Sequence, residues 1–248
     1  MNNGLPGVRT ERTATPRRVL VTDRGVRYIP GGEVIAGSES RDLGNTGDTD
    51  VLRAGTLMGK ITANGKFAPS IIGVLPSAYS NATDTTSLTV GAANASEIVR
   101  RIGATGTITL VGPPTAAGTV AVHSESFASV NESTGVVTLD SAVGANLVAG
   151  SFIMAADGSQ DPIAIIADNQ NTYGIKVTDD DDSDLDVPFA QPVIGGLVDA
   201  SQIINYPSDT SLIKWLKMAI NGLWDNAGTV TYRGSAGLFQ FDDDFSAN

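Results

Sequence analysis

The chain has 248 residues and a net charge of −11, and 41% of its residues are hydrophobic although only 6% are aromatic. Cysteine is absent and His123 is the single histidine, which excludes disulfides and cysteine metal sites and disfavours acid–base catalysis near neutral pH. No run approaches the length of a membrane-spanning segment, and Met1–Pro6 lacks the charged and apolar start of a signal peptide. We therefore expect neither an enzyme nor a cofactor-binding protein.

The sequence is rich in residues that form strands and turns. It contains 28 glycines and 11 prolines, and Thr, Ser, Val and Ala fill much of the sequence between them. This composition is typical of many short β-strands joined by tight turns. A chain of this length holds one large β-domain or two smaller ones, and either can bury a hydrophobic core.

Residues 1–50 are predicted to form an extended N-terminal arm and linker. The first 30 residues carry six arginines against two carboxylates, a local charge of +4 that leaves −15 on the rest of the chain. Val19–Val21 and Val26–Ile29 predict one strand or, with a turn at Asp23–Gly25, a hairpin. Because this segment cannot bury enough apolar surface alone, we expect it to become ordered against another surface. Its interspersed apolar residues favour an acidic protein surface over nucleic acid.

A β-hairpin is predicted after the linker. Leu57–Ile61 and Lys66–Ala68 are short strand candidates, and Asn64–Gly65 supplies the positive φ of a tight turn between twisted strands. The unit that begins with this hairpin continues to Leu75. A polar stretch starting at Pro76 then indicates a change of unit.

Residues 76–154 are predicted to form an inserted β-sandwich or barrel domain. A short helix is expected over Glu97–Ile102, with Asn94 or Ser96 as its N-cap and Gly103 as its stop. The predicted strands, separated by turn residues, are Thr107–Val111, Gly118–Val122, Val136–Leu139 and Ser151–Met154.

The chain then returns to the first unit, which we assign to residues 51–75 together with 155–248. Asp161–Asp168 and Pro188–Ile203 are expected to add strands to it. These segments lie far from the hairpin in the sequence, so the assignment requires long-range strand pairing.

One long amphipathic helix is predicted from Asp209 to Gly222, with Ser208 as its N-cap. Its apolar residues recur at helical spacing and form one stripe, which consists of Leu212, Trp215, Leu216, Ala219, Ile220 and Leu223. A final strand is expected at Gly228–Arg233. An acidic tail follows this strand.

The hairpin region also contains a run that is similar to the opening motif of a known family. Val51–Pro69 includes Ala-Gly-Thr-Leu-Met-Gly-Lys-Ile-Thr at positions 54–62 and Gly-Lys-Phe at positions 65–67. This run resembles the head-decoration (cement) proteins of tailed bacteriophages, the family of the phage lambda decoration protein. Asp161–Asp168 and Pro188–Ile203 resemble later strands of that family, whose members also end with a helix and a terminal strand. Residues 76–154 separate the two halves of the resemblance.

The resemblance implies a mainly β fold. We expect a small lambda-decoration-like β-module of the β-tulip type with one long helix, joined to the inserted β-domain and the arm. It implies a structural virion protein, made in the host cytoplasm, that binds the outer capsid surface and stabilises the expanded head. The implied partners are the major capsid protein and further copies of the chain in a homotrimer, with no direct nucleic-acid or membrane contact.

Two sets of candidate site residues follow from the arm and the resemblance. The capsid-docking residues are predicted to be Arg9, Arg12, Arg17, Arg18, Thr56, Leu57, Met58 and Lys60. The subunit-interface residues are predicted to be Leu197, Ile203, Trp215 and Trp224. For both tryptophans a core position is the alternative, because large aromatic side chains serve cores and interfaces alike.

Other chemistry has weaker support in the sequence. Asp179–Asp186 contains six carboxylates in eight residues, and a calcium site is one interpretation, but the spacing lacks the EF-hand glycine and terminal glutamate, so we expect a solvated loop. His123 is not placed to activate Ser124 or Ser126, and no Gly-x-Ser-x-Gly motif accompanies it. A tail, baseplate or host-glycan-binding appendage is the alternative function.

Overall fold

The computed structural model describes residues 17–22, 24–114, 120–167, 174–179, 181–190, 192–222 and 238–244. The strands in this part of the chain are β1 (Arg27–Tyr28), β2 (Glu33–Ile35), β3 (Val51–Leu52), β4 (Leu57–Lys60), β5 (Phe67–Pro69), β6 (Gly73–Val74), β7 (Ser87–Thr89), β8 (Gly106–Pro114), β9 (Val120–Asn131), β10 (Val136–Leu139), β11 (Phe152–Ala155), β12 (Pro162–Ile165), β13 (Ile175–Lys176), β14 (Val187–Ala190), β15 (Val193–Val198) and β16 (Leu238–Phe241). The α-helices are α1 (Ala92–Arg101) and α2 (Thr210–Ile220). The prediction of a mainly β protein is confirmed.

The first sheet contains eight of the described strands. Its order is β1-β15-β12-β4-β5-β2-β14, and β16 also pairs with β15 in parallel. The hairpin predicted from the Asn-Gly turn is confirmed, because β4 and β5 pair antiparallel from Met58–Pro69 to Lys60–Phe67. Strands β1 and β14 stand at the two ends of this order, so the sheet is built from segments distributed over most of the chain.

The second sheet draws all its described strands from one continuous stretch, residues 73–155. Its order is β6-β11-β8-β9-β10-β7. The chain enters and leaves this sheet side by side, because β6 pairs with β11 through Val74 and Phe152. The assignment of residues 76–154 to an inserted domain stays a prediction, and this pairing holds the two ends of that segment next to each other.

The three largest groups of buried side chains hold these layers together. The largest lies between the sheets and joins Leu57 of the first sheet and Phe152 of the second to Trp215 of α2. A second group packs α1 onto the other face of the second sheet. A third, which includes Met58, covers the other face of the first sheet. Adjacent residues of β4 therefore point into different cores, as the alternation of side chains along a strand requires.

Both predicted helices are present, but their N-caps differ from the prediction. Helix α1 begins at Ala92. The preceding residue, Gly91, has a φ of 84°, and no side chain forms a capping hydrogen bond at this end of the helix. Asn94 was an expected cap, but its amide donates to the carbonyls of Val74 and Val90 instead. Helix α2 is capped by Asp209, whose carboxylate accepts from the backbone of Ser211 and Leu212, and not by Ser208.

The N-terminal segment is part of the body of the protein from Arg17 onward. Val19 and Leu20 are 0% and 2% exposed, and Leu20 bridges to Val198 while Arg27 and Tyr28 pair with β15. The alternative of a hairpin at Asp23–Gly25 is therefore wrong, because both halves pair with β15 and not with each other. The strand expected at Gly228–Arg233 lies outside the described residues.

Candidate functional site

The basic N-terminal segment forms an edge of the first sheet. Arg18, Arg24 and Arg27 are exposed along this edge, and Val21 between them is 43% exposed. The backbone of Val21 donates to the carbonyl of Leu197, which fixes the edge against β15. Arg9 and Arg12, also predicted to dock, lie outside the described residues.

Arg17 differs from the other arginines of this edge because its side chain is partly buried. Its Nη2 donates to the carbonyl oxygen of Gln202 over 2.8 Å. Burial and the nearby charge of Arg53 lower the pKa of Arg17, although Asp42 and Asp199 act in the opposite direction. This guanidinium fastens the start of the described chain to the turn after β15.

The predicted docking residues of the hairpin are mostly inside the protein. Thr56, Leu57 and Met58 are 6%, 3% and 0% exposed, and the Thr56 hydroxyl donates to the carbonyl of Arg53 over 2.8 Å. Only Lys60 presents a largely exposed side chain, at 47%, where its Nζ lies 3.5 Å from Glu33. The surface role predicted for the first three side chains does not fit their burial, because they fill the cores on either side of β4.

Two glycines of the hairpin motif have a clear physical role. A Cβ atom at Gly55 would lie 2.0 Å from the carbonyl oxygen of Gln202, and one at Gly59 would lie 2.1 Å from that of Ser159. The neighbouring backbone therefore approaches closely at both positions, and only glycine fits without a shift. The motif resembling the decoration family marks the places where returning segments pack on the hairpin.

Two of the predicted subunit-interface residues are buried, and one is partly exposed. Ile203 and Trp215 are each 3% exposed, and the Trp215 ring lies 5.7 Å from that of Phe152. Leu197 is partly exposed on β15, and Trp224 lies outside the described residues. Within the chain as described, Trp215 occupies the core position that was the alternative for it.

Hydrogen bonds and ion pairs fix the position of the acidic loop that contains Asp184 and Asp186. Asp184 accepts from Arg41 over 2.6 Å, and Asp186 accepts from the ammonium of Lys66 and from the backbone of Gly37. The hydrogen bond from Lys66 lowers the pKa of Asp186, which is largely exposed. The described residues of this loop are exposed, as expected for a solvated loop, and two ion pairs connect it to the segment after β2 and to the hairpin.

Two observations on the described residues concern metal binding and acid–base chemistry. No group of three or more His, Asp or Glu side chains in this part of the chain is arranged to hold a metal ion. His123 lies on β9 with its Nδ1 4.0 Å from Glu125. Burial lowers the pKa of His123 and raises the pKa of Glu125, so both groups favour their neutral forms.

A cleft of about 250 Å³ lies between the start of α1 and the loop at residues 41–44. Two of its polar side chains, those of Asp42 and Asn94, are engaged within the chain. Asp42 accepts from Arg53 over 2.6 Å and 2.9 Å, and Asn94 donates to two carbonyls. These contacts stabilise the walls of the cleft, so we assign it no ligand.

Sequence reasoning missed two exposed apolar residues at the ends of the first sheet. Val21 and Leu185 are 43% and 47% exposed. The sequence did mark Leu185 as unusual, because it is a single leucine inside an acidic run and an apolar side chain does not make such a run more soluble. The ion pairs that hold this loop were not predictable, because Arg41 and Asp184 are separated by 143 positions.

Comparison with known proteins adds no further identification. No family model, curated protein or solved structure matches the chain. In the part of the chain that the structure describes, no helix has the length and apolar character needed to cross a membrane.

Proposed function

We propose that the chain is a capsid decoration protein of a tailed bacteriophage. In this role it binds the outer surface of the shell formed by the major capsid protein, as a trimer, and stabilises the expanded head. Its physical task is to bury additional surface across capsid subunit boundaries, since a ligand that binds only the assembled state stabilises that state.

One observation carries the proposal. The three segments that resemble the decoration family lie in neighbouring strands, because β4 pairs with β12 and β12 pairs with β15. The helix and the described terminal strand follow in the order that the resemblance implies, and β16 pairs in parallel with β15. The pairing of these three segments supports the proposal that they belong to one module.

The charge distribution supports attachment through the N-terminal side. The body of the protein is acidic, whereas Arg18, Arg24 and Arg27 are exposed on one sheet edge. The sequence before Arg17 contains two further arginines, Arg9 and Arg12, which belong to the predicted docking residues. A basic surface of this kind suits an acidic protein surface, and its attraction weakens with salt.

Co-sedimentation with expanded, undecorated capsids of the source phage tests the proposal. The full-length protein is expected to pellet with capsids at low salt and to release partly at high salt. A variant lacking residues 1–16 is expected to bind more weakly and with less salt dependence. Lys214→Glu, which reverses an exposed charge on α2, serves as the control and is expected to bind like the unmodified protein. Failure of the full-length protein to pellet at any salt concentration would contradict the proposal.

A further inference from the structure

Two asparagine–glycine pairs lie in the described part of the chain. Asn64–Gly65 lies in the turn between β4 and β5, and Asn221–Gly222 follows α2. In such a pair the backbone nitrogen of the glycine can attack the side-chain amide carbon of the asparagine, because glycine has no Cβ atom to hinder the approach. A third pair, at positions 3 and 4, lies outside the described residues. The two described pairs therefore allow the same chemistry in two different surroundings.

The side-chain amide of Asn64 is accessible to water, and only its oxygen is bound. Asn64 is exposed and Gly65 is partly buried. The Asn64 Oδ1 accepts from the backbone of Lys66 over 2.9 Å, whereas the Nδ2 has no hydrogen-bond partner among the described residues. Attack on the Cγ atom of Asn64 places negative charge on Oδ1, so the N–H of Lys66 already lies where it stabilises that charge. No described residue holds the nitrogen that must leave.

The side-chain amide of Asn221 is bound through both its nitrogen and its oxygen. Its Nδ2 donates to the carbonyl oxygens of Lys217 over 2.9 Å and of Phe239 over 3.2 Å, and its Oδ1 accepts from the backbone of Phe239 over 3.1 Å. Gly222 is buried. Loss of this nitrogen therefore requires that two hydrogen bonds break, one of which connects the end of α2 to β16.

One obstacle to the reaction is common to both pairs. The Gly65 N–H donates to the carbonyl of Ile61 over 2.9 Å, and the Gly222 N–H donates to that of Ala219 over 2.9 Å. Each glycine nitrogen must therefore leave a turn hydrogen bond before it attacks. Because this requirement is the same at both sites, the two pairs differ in how the asparagine amide is held and in how far water reaches it.

We propose that Asn64 is a site of spontaneous deamidation and that its hydrogen bonds protect Asn221 from the same reaction. The Gly65 nitrogen forms a bond to the Cγ atom of Asn64, the bond from Cγ to Nδ2 breaks, and the departing nitrogen takes up the proton of the Gly65 amide and leaves as ammonia. Water then opens the cyclic imide at one of its two carbonyl carbons. Opening at Cγ gives aspartate in a normal backbone. Opening at the main-chain carbon gives isoaspartate, in which the backbone runs through the side chain.

Both products change the hairpin turn. Each replaces a neutral amide by a carboxylate and makes the chain, whose net charge is −11, one unit more negative. Isoaspartate also adds one carbon to the backbone of a turn that closes through the hydrogen bond from Gly65 to Ile61. Since turn length sets the register of a hairpin, we expect isoaspartate to disturb the pairing of Lys60 with Phe67.

Incubation of the purified full-length protein at mildly alkaline pH, followed by digestion with trypsin and mass spectrometry, tests the proposal. Trypsin releases Asn64 in the peptide of residues 61–66 and Asn221 in that of residues 218–233, and fragmentation of each peptide assigns the converted residue. We expect Asn64 to convert at least about ten-fold faster than Asn221, because the amide of Asn221 must first lose its hydrogen bonds. An unincubated sample digested in parallel corrects for conversion during digestion.

Two controls separate the effect of the fold from that of the local sequence. In protein unfolded with urea, Asn64 and Asn221 are expected to convert at comparable rates, because the hydrogen bonds that protect Asn221 are lost. In the folded Gly65→Ala variant, conversion of Asn64 is expected to slow, because a Cβ atom hinders the attacking nitrogen. That Cβ would contact only the Lys60 side chain, at 3.5 Å, and circular dichroism checks that the variant is folded.

Three results would overturn the proposal. The first is that Asn64 converts no faster than Asn221 in the folded protein. The second is that the difference between them persists unchanged in urea, since the fold would then not be its cause. The third is that Gly65→Ala leaves the rate at Asn64 unchanged. Capsid binding has no part in any of these measurements, so this proposal and the proposed function fail separately.

Discussion

Arg101 of α1 donates to the carboxylate of Asp157 over 3.2 Å, although 56 positions separate the two residues. The same guanidinium donates to the Ser159 hydroxyl over 2.5 Å and to the Pro69 carbonyl over 2.8 Å, and the Arg101 side chain is 0% exposed. Burial raises the pKa of Asp157, but the charge of Arg101 and the hydrogen bonds from Ser159 outweigh it and lower the pKa. One buried arginine thus connects the helix of the second sheet to the first.

Replacing this arginine tests how strongly the two sheets are joined. Arg101→Met is expected to lower the free energy of unfolding by about 3 kcal/mol, because it removes a buried partner of Asp157 and leaves acceptors unsatisfied. The matched control is Lys214→Met on the exposed face of α2, which is expected to change stability by less than about 0.5 kcal/mol. Urea denaturation measures both. Equal effects of the two substitutions would show that the Arg101 network does not stabilise the fold.

The glycines of the hairpin give a second prediction. Gly59→Ala is expected to destabilise the protein by about 3 kcal/mol, because its Cβ would lie 2.1 Å from the Ser159 carbonyl oxygen and 2.7 Å from that of Asp161. Gly65→Ala is the control, since its nearest neighbour is Lys60 at 3.5 Å and only its φ of +73° is unfavourable. That strain costs about 1 kcal/mol. A Gly59 variant as stable as the Gly65 variant would contradict the close approach of the returning chain.

Truncation of the N-terminus tests which part of the proposed docking arm belongs to the folded body. Removal of residues 1–16 is expected to leave thermal stability nearly unchanged. Removal of residues 1–30 is expected to lower it strongly, because Val19 and Leu20 are buried and each contributes about 2 kcal/mol. Calorimetry of both truncated proteins measures the difference, and equal melting temperatures would show that this segment is not part of the core.

The single histidine gives a prediction for pH dependence. Burial lowers the pKa of His123 from its usual value of 6.5, so the folded state disfavours the protonated imidazole. The stabilisation that depends on a neutral His123 is therefore fully present at pH values above 6.5. It is lost as the pH falls from 6.5 toward the lowered pKa of His123 in the folded state.

The expected measurement is a smaller free energy of unfolding at pH 5.5 than at pH 7.5, with a reduced difference in His123→Gln. Titration of the imidazole by NMR checks the cause directly, because no other histidine contributes signals. Glu125 acts in the opposite direction, since its raised pKa favours the protonated carboxyl, so Glu125→Gln is measured in parallel. An imidazole titrating above 6.5 would contradict the burial of His123.

Local sequence patterns correctly predicted the elements that depend on residues close to one another in the sequence. The hairpin follows from Asn64–Gly65, and the buried stripe of α2, including Leu212 and Leu216, follows from helical spacing. The start of α1 was missed because Gly91 provides no capping side chain. The length of β9 was missed because its second half, up to Asn131, is polar and partly exposed.

The surfaces were harder to predict than the fold. Leu57 and Met58 lie in a motif that resembles a capsid-binding family, but burial depends on which strands return to cover them, and β12 lies more than 90 positions away. The exposed arginines of the N-terminal segment likewise lie on one sheet edge only because Arg27 pairs with β15. Long-range pairing of this kind leaves little trace in the local sequence.

We propose that this protein covers the outside of a phage head, and electron cryomicroscopy tests that role most directly. Expanded capsids lacking decoration are incubated with the purified protein at saturating concentration and reconstructed beside untreated capsids. We expect additional density on the outer surface at local three-fold positions, into which three copies of the first sheet fit with their N-terminal edges toward the shell. Identical reconstructions with and without the protein would contradict it.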